Sequence, residues 1–137
     1  MCSSDLTSIA GSGHPGGSFS MAEIMGCIFF KYLKYDPKNP TWQDRDKLIL
    51  SKGHASPGLF SNMALAGYFD PSELDTLRQF GSRLQGHPDL KCPGVEFCGG
   101  SLGIGLSFSI GSALAARIDD KSSRIFTVMG EIGRAHV

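Results

Sequence analysis

A chain of 137 residues and 14.7 kDa, 41% of them hydrophobic, has the material for one domain with a core of its own. Its 13 basic and 13 acidic side chains cancel, so the charge balance points to neither nucleic acid nor an acidic surface as a partner. No apolar stretch reaches the length of a membrane span and no charged leader precedes a signal core, which makes a cytoplasmic protein the expectation.

Ser20 and Glu23 stand at capping-box spacing, and Met21, Ile24, Met25, Ile28, Phe29 and Tyr32 follow with helical period. The pattern predicts one buried amphipathic helix. It should end before Asp36-Pro37-Lys38-Asn39-Pro40, where two prolines block continuation and asparagine favours a turn. Residues 47–51 are apolar in the middle and short, the signature of a buried strand. A helix is expected over residues 58–66, with Gly67 suited to its C-terminal cap. Asp70-Pro71-Ser72-Glu73 then combines an N-cap, a proline at the first helical position and a glutamate able to reach back, with Leu74, Leu77 and Phe80 as the buried stripe.

Residues 81–103 are rich in glycine and proline and have neither period, so they form a long loop of a kind that is usually functional or disordered. His87 and the glycines favour the functional reading. Residues 104–118 are small and apolar almost throughout, as in a central helix packed on both sides. Residues 124–129 are β-branched and aromatic, a second strand. Helices alternating with buried strands predict an α/β fold, a parallel sheet flanked by helices.

Three of the four histidines stand beside glycine in loops: Gly13-His14-Pro15-Gly16, Ser51-Lys52-Gly53-His54-Ala55-Ser56 and Gly86-His87-Pro88-Asp89. Glycine at the end of a buried strand lets backbone come close to a ligand to which imidazole can donate. Each histidine is also compatible with a cap or a solvent-facing loop position. Cys27 falls on an apolar helix face and Cys92 and Cys98 are loosely spaced, so no disulfide framework is expected. His87, Cys92 and Cys98 are only three ligands without C-x-x-C spacing, a poor match to zinc. The run Gly99-Gly100-Ser101-Leu102-Gly103-Ile104-Gly105 can serve as a glycine-rich helix entrance, and it lacks the Gly-Lys-Ser/Thr ending of a phosphate loop.

Taken in order and at this spacing, these motifs, with Trp42 and Asp44-Arg45-Asp46, resemble the thiamine-diphosphate-binding N-terminal half of transketolase. The resemblance runs over residues 12–130 and is greatest to the short form, whose two halves are separate chains. It implies a thiamine-diphosphate-binding fold, incomplete at the C-terminus, and a parent enzyme that moves a two-carbon ketol unit between sugar phosphates. It further implies that His54 contacts the diphosphate, and that Gly100, Ser101 and Leu102 line the aminopyrimidine ring. By the same match His14 and His87 face the sugar donor and move protons around its hydroxyl and carbonyl groups. The implied partners are sugar phosphates and a C-terminal half carried by a separate subunit, in a dimer of such pairs. A deoxyxylulose-phosphate synthase, another thiamine-diphosphate enzyme, or a non-catalytic binding module or fragment are the alternatives.

One departure concerns metal. After Met129-Gly130 the family has Asp-Gly, whose aspartate helps to hold magnesium, whereas this chain has Glu131-Ile132. Glutamate can offer oxygen, but isoleucine lacks the backbone freedom of glycine. No metal ligand is therefore assigned, the magnesium site is expected to be incomplete, and the chain alone is not expected to turn over. The two ends are also related as DNA. Glu131 to His136 read as GAG ATC GGA AGA GCA CAC has the opposite strand GTG TGC TCT TCC GAT CTC, which encodes Met1-Cys2-Ser3-Ser4-Asp5-Leu6 with GTG as the start codon. That DNA matches a sequencing-library adapter, so residues 1–6 and 131–137 are expected to be non-native and residues 7–130 to be part of the diphosphate-side domain.

Overall fold

The computed structural model describes residues 3–130. Helices α1 (Ser3–Ile9), α2 (Pro15–Phe19) and α3 (Ala22–Cys27) lead through a π-helical turn, Ile28–Tyr32, towards strand β1 (Lys47–Leu50). A 3₁₀ turn, Gly53–Ala55, then opens α4 (Ser56–Leu65), and a second 3₁₀ segment covers Pro71–Thr76. After the long loop come α5 (Ile104–Ile118) and β2 (Ile125–Val128). The strands pair in parallel, Lys47 opposite Ile125 and Leu50 opposite Val128, so the α/β expectation holds.

The core lies between the sheet and α1 to α4. Leu6, Met21, Met25, Phe29, Leu50, Phe60, Met63 and Val128 meet there, all buried. Strand side chains alternate, so Ile49, also buried, points to the opposite face, which α5 covers. The close approach of α5 depends on Gly105, where a Cβ would stand 2.7 Å from the Cβ of Ser51. Leu6 belongs to the stretch that the codon reading assigns to adapter, and it packs fully into the core. The other such stretch, residues 131–137, lies outside the described residues, as do Met1 and Cys2.

Four local expectations are corrected. Ser20 does not cap a helix: its hydroxyl donates to Gly17 O at 3.0 Å and accepts from Lys52 Nζ at 2.8 Å, and the single expected helix is divided into α2, α3 and the π-helical turn. Of the expected stripe, Met21, Met25 and Phe29 are buried, whereas Ile24 and Tyr32 are exposed. The division and the wider π turn rotate the apolar face out of a common line. Asp70 does accept from Ser72 N at 2.8 Å, but Glu73 turns to Arg83 at 2.8 Å instead of reaching back, and Phe80 is fully exposed beyond the end of the 3₁₀ segment. Finally, α5 is not packed on both sides: Gly105 and Ser109 are buried, while Ile104, Ile110, Leu114 and Ile118 are exposed. Apolar composition shows what a helix can bury but not what covers it.

The start of the sheet is clamped by Asp46, which is 2% exposed. Its carboxylate accepts from Lys34 N at 2.9 Å, Arg124 N at 2.7 Å and Arg124 Nη2 at 2.7 Å, and Arg124 also donates to Tyr32 O. Burial alone would raise the Asp46 pKa, but these hydrogen bonds and the guanidinium charge outweigh it and hold the carboxyl below its ordinary value. A second ion pair, between Arg45 and Glu96, anchors the long loop beside it.

Candidate active site

Strand β1 runs directly into the site. Ser51 N still donates to Val128 O at 2.8 Å, Lys52 follows, and the tight turn Gly53–Ala55 carries His54 across to α4. Gly53 is where the loops converge, since a Cβ there would lie 2.0 Å from Gly99 O and 2.9 Å from Cδ2 of His87. Both His87 and Gly99 therefore stand against the backbone next to His54. On another side a Cβ at Gly17 would reach Cδ2 and Nε2 of His54 at 3.2 Å, and the His14 ring meets the His54 ring edge-on with centroids 5.3 Å apart.

The loop that brings His87 and Gly99 here is ordered by its own anchors. Leu84 and Cys92 are fully buried, and burial pushes the Cys92 thiol up to about 11. Ser56 Oγ donates to Gln85 O at 3.1 Å, and Leu90 N donates to Cys98 Sγ at 3.2 Å. Gly99 is buried, Gly100, Ser101 and Leu102 follow exposed, and Gly103 with φ of 86° turns the chain into α5. Glycine suits that left-handed position because it has no Cβ to clash.

Lys52 organises the opposite wall. The residue is buried, and its ammonium donates to Gly17 O at 3.0 Å and Ser20 Oγ at 2.8 Å, which ties the His14 segment to the end of β1. Burial first, then the nearby His14, Lys52 and His87, push the His54 pKa below its ordinary value. The lowered pKa favours the neutral imidazole, which has one donor and one acceptor. None of His14, His54 and His87 has a hydrogen-bond partner among the described residues, and a Cβ at Gly100 would meet nothing within 4 Å. An unpartnered neutral donor beside an open backbone face fits a phosphate group and a flat ring.

The family model for the thiamine-diphosphate-binding domain of transketolase matches residues 1–124. The chain belongs to that family. It is 43% identical over 122 residues to the 6-deoxy-6-sulfo-D-fructose transketolase subunit of Clostridium sp. strain MSTE9, covering 88% of this chain and 44% of the relative. It is 46% identical over 117 residues to transketolase 2 of Escherichia coli strain K12, covering 84% of this chain and 18% of that enzyme. The crystal structure of transketolase from Campylobacter jejuni superimposes with a TM-score of 0.88 at 36% identity, over 94% of this chain and 22% of that one. The chain thus spans less than half the length of these transketolases.

Within this transketolase domain the predicted residues divide into two groups. His14, His54 and His87 converge, and the loop holding Gly100, Ser101 and Leu102 joins them through Gly99. Sequence reasoning missed Lys52, Gly17 and Gly99 as the residues that pack these motifs together. The doubled glycines at positions 16–17 and 99–100 carried a signal, since one of each pair is open and the other is in close contact. Lys52 carried none, because a lysine beside a strand end reads as a solvent-facing charge.

Proposed function

We propose that the whole protein is a transketolase that moves a two-carbon ketol unit from a ketose phosphate to an aldose phosphate. The convergence of His14, His54 and His87 on the Gly53 turn in a domain of this family supports this reading. His54 would donate to the diphosphate of thiamine diphosphate, and Gly100, Ser101 and Leu102 would line its aminopyrimidine ring. When bound, the cofactor supplies a carbon nucleophile and stores the transferred unit. His14 and His87 would orient the sugar and exchange protons with its hydroxyl and carbonyl oxygens, work that an imidazole can do because its two ring nitrogens can donate and accept.

Magnesium belongs to this reading as the ion that offsets the diphosphate charge. Among the described residues no group of three or more His, Cys, Asp or Glu is placed to hold a metal, and Glu131, at the family aspartate position, lies outside them. The C-terminal half on a separate chain is the partner we infer, since a relative of similar sequence is named as a transketolase subunit. No helix of the described residues is long and apolar enough to cross a membrane, and the cytoplasm is the compartment we propose.

The test is a paired comparison in the whole protein with its partner half. His54→Ala should weaken thiamine diphosphate binding in calorimetry by roughly 1.5–3 kcal/mol, tenfold or more, the worth of a hydrogen bond to a charged group. His14→Ala and His87→Ala should leave that affinity within about twofold and lower kcat on a ketose phosphate by about tenfold or more. Unchanged cofactor affinity in the first variant would remove His54 from the diphosphate, and full turnover in either of the others would remove it from proton transfer.

A further inference from the structure

Arg78 lies on neither histidine loop, yet it touches both. Its Nη1 donates to Ser12 Oγ at 3.1 Å, two residues before His14. Its guanidinium covers Gly86, the residue before His87: a Cβ there would fall 2.7 Å from Nη2 and 2.9 Å from Cζ and Nε. The Arg78 main-chain N–H donates to Leu84 O at 2.8 Å, so the segment leading to His87 is held at the backbone as well.

Two features run against placing an arginine here for stability. Its φ of 62° is left-handed, a conformation that glycine or asparagine adopts at lower cost. Its Nε is buried with no hydrogen-bond partner, and no carboxylate pairs with the guanidinium among the described residues. Strain and an unsatisfied donor held together by the surrounding structure point to a role in the site, not in the core.

We propose that Arg78 is a positioning residue, a strut whose guanidinium sets the spacing and orientation of the Ser12–His14 and Gly86–His87 loops for the sugar that both histidines face. The proposal rests on the transketolase reading of the site. Arginine fits because its planar fork can cover the Gly86 backbone while one arm reaches Ser12, which the point charge of lysine cannot do.

The experiment uses the whole protein with its partner half, thiamine diphosphate and magnesium, and fructose 6-phosphate as donor. Arg78→Asn suits the left-handed backbone, so its melting temperature should equal or exceed wild type while kcat/KM for the donor falls about tenfold to a hundredfold, the scale of a misplaced catalytic group. Gly86→Ala retains the arginine but displaces its flexible end, and should give the same fall. Calorimetric affinity for thiamine diphosphate should not change in either variant, and Arg78→Lys should not restore turnover. In the ligand-free protein, amide hydrogen exchange should accelerate in residues 11–17 and 84–90 together when Arg78 is replaced. Wild-type kcat/KM in Arg78→Asn or Gly86→Ala, rescue by lysine, or faster exchange in one loop only would overturn the strut. A wild-type protein with no transfer from fructose 6-phosphate, xylulose 5-phosphate or sedoheptulose 7-phosphate would instead sink the transketolase reading, and the exchange data would still decide the role of Arg78.

Discussion

Gly53→Ala should unfold the site and much of the stability with it. The added methyl would stand 2.0 Å from the carbonyl oxygen of Gly99, an obstacle of backbone that no rotamer change removes, and 2.9 Å from the His87 ring. Overpacking of this kind costs typically 1–3 kcal/mol, and a clash with the Gly99 main chain on one side and the His87 ring on the other places the variant at the upper end, about 3 kcal/mol. Either the His54 turn or the Gly99 loop must retreat, so thiamine diphosphate affinity should fall along with the melting temperature. Gly100→Ala is the control. Its methyl would meet nothing within 4 Å, so stability should stay within about 0.5 kcal/mol while cofactor binding weakens if the ring lies there. Thermal melts and calorimetry on the two variants separate a packing glycine from a ligand-facing one, and a Gly53→Ala protein that melts like wild type would show the convergence of loops to be wrong.

Asp46→Ala should be the most damaging change outside the site. It leaves the N–H groups of Lys34 and Arg124 without their carboxylate and deprives both arms of the Arg124 guanidinium of a partner. Asp46 is buried but its donors lie partly open to water, which can take the place of the carboxylate, so a loss of about 1.5–3 kcal/mol, the worth of a hydrogen bond to a charged group, is expected from denaturant titration. The pH dependence carries a sign. Because the folded carboxyl titrates below the ordinary value of 3.8, its contribution is complete above that pH and disappears as the pH falls through the folded pKa. Wild type should therefore lose stability on acidification below about pH 4, and Asp46→Asn should show a weaker stability and lack that component. Identical acid profiles for the two would exclude Asp46 as the clamp.

How far the fold could be read from the chain depended on whether local patterning and tertiary contacts agreed. Residues 47–51 and 124–129 were legible as strands because an apolar, β-branched run bounded by turns has few other uses, and the observed strands differ from them only at the ends. The helix at Ile104–Ile118 was legible as a helix, but its burial was not, since burial depends on neighbours that no local pattern names. The Ser20 and Glu23 pair failed for a different reason. Ser20 Oγ bonds to a lysine 32 positions away, a long-range competitor that is invisible at capping-box spacing. The three histidines were legible as a group because glycine beside a loop imidazole is a local signature of close approach. Arg78 was not, for neither a left-handed φ nor a contact with Gly86 leaves a mark in the residue type.

The parallel pairing of the two strands also sets a timetable for synthesis. Asp46 and Arg124, the two sides of the clamp, are 78 positions apart, and β1 forms its ladder with β2 just beyond them. At about 5–20 residues per second, a ribosome needs about 4–16 s to make that interval. Once they have emerged, Leu48, Ile49 and Leu50 wait for an interval of about that length without a strand to bond. The nascent chain therefore passes through a period of seconds in which its most apolar short segment is available to holding chaperones, and a translational pause between the strands would lengthen it.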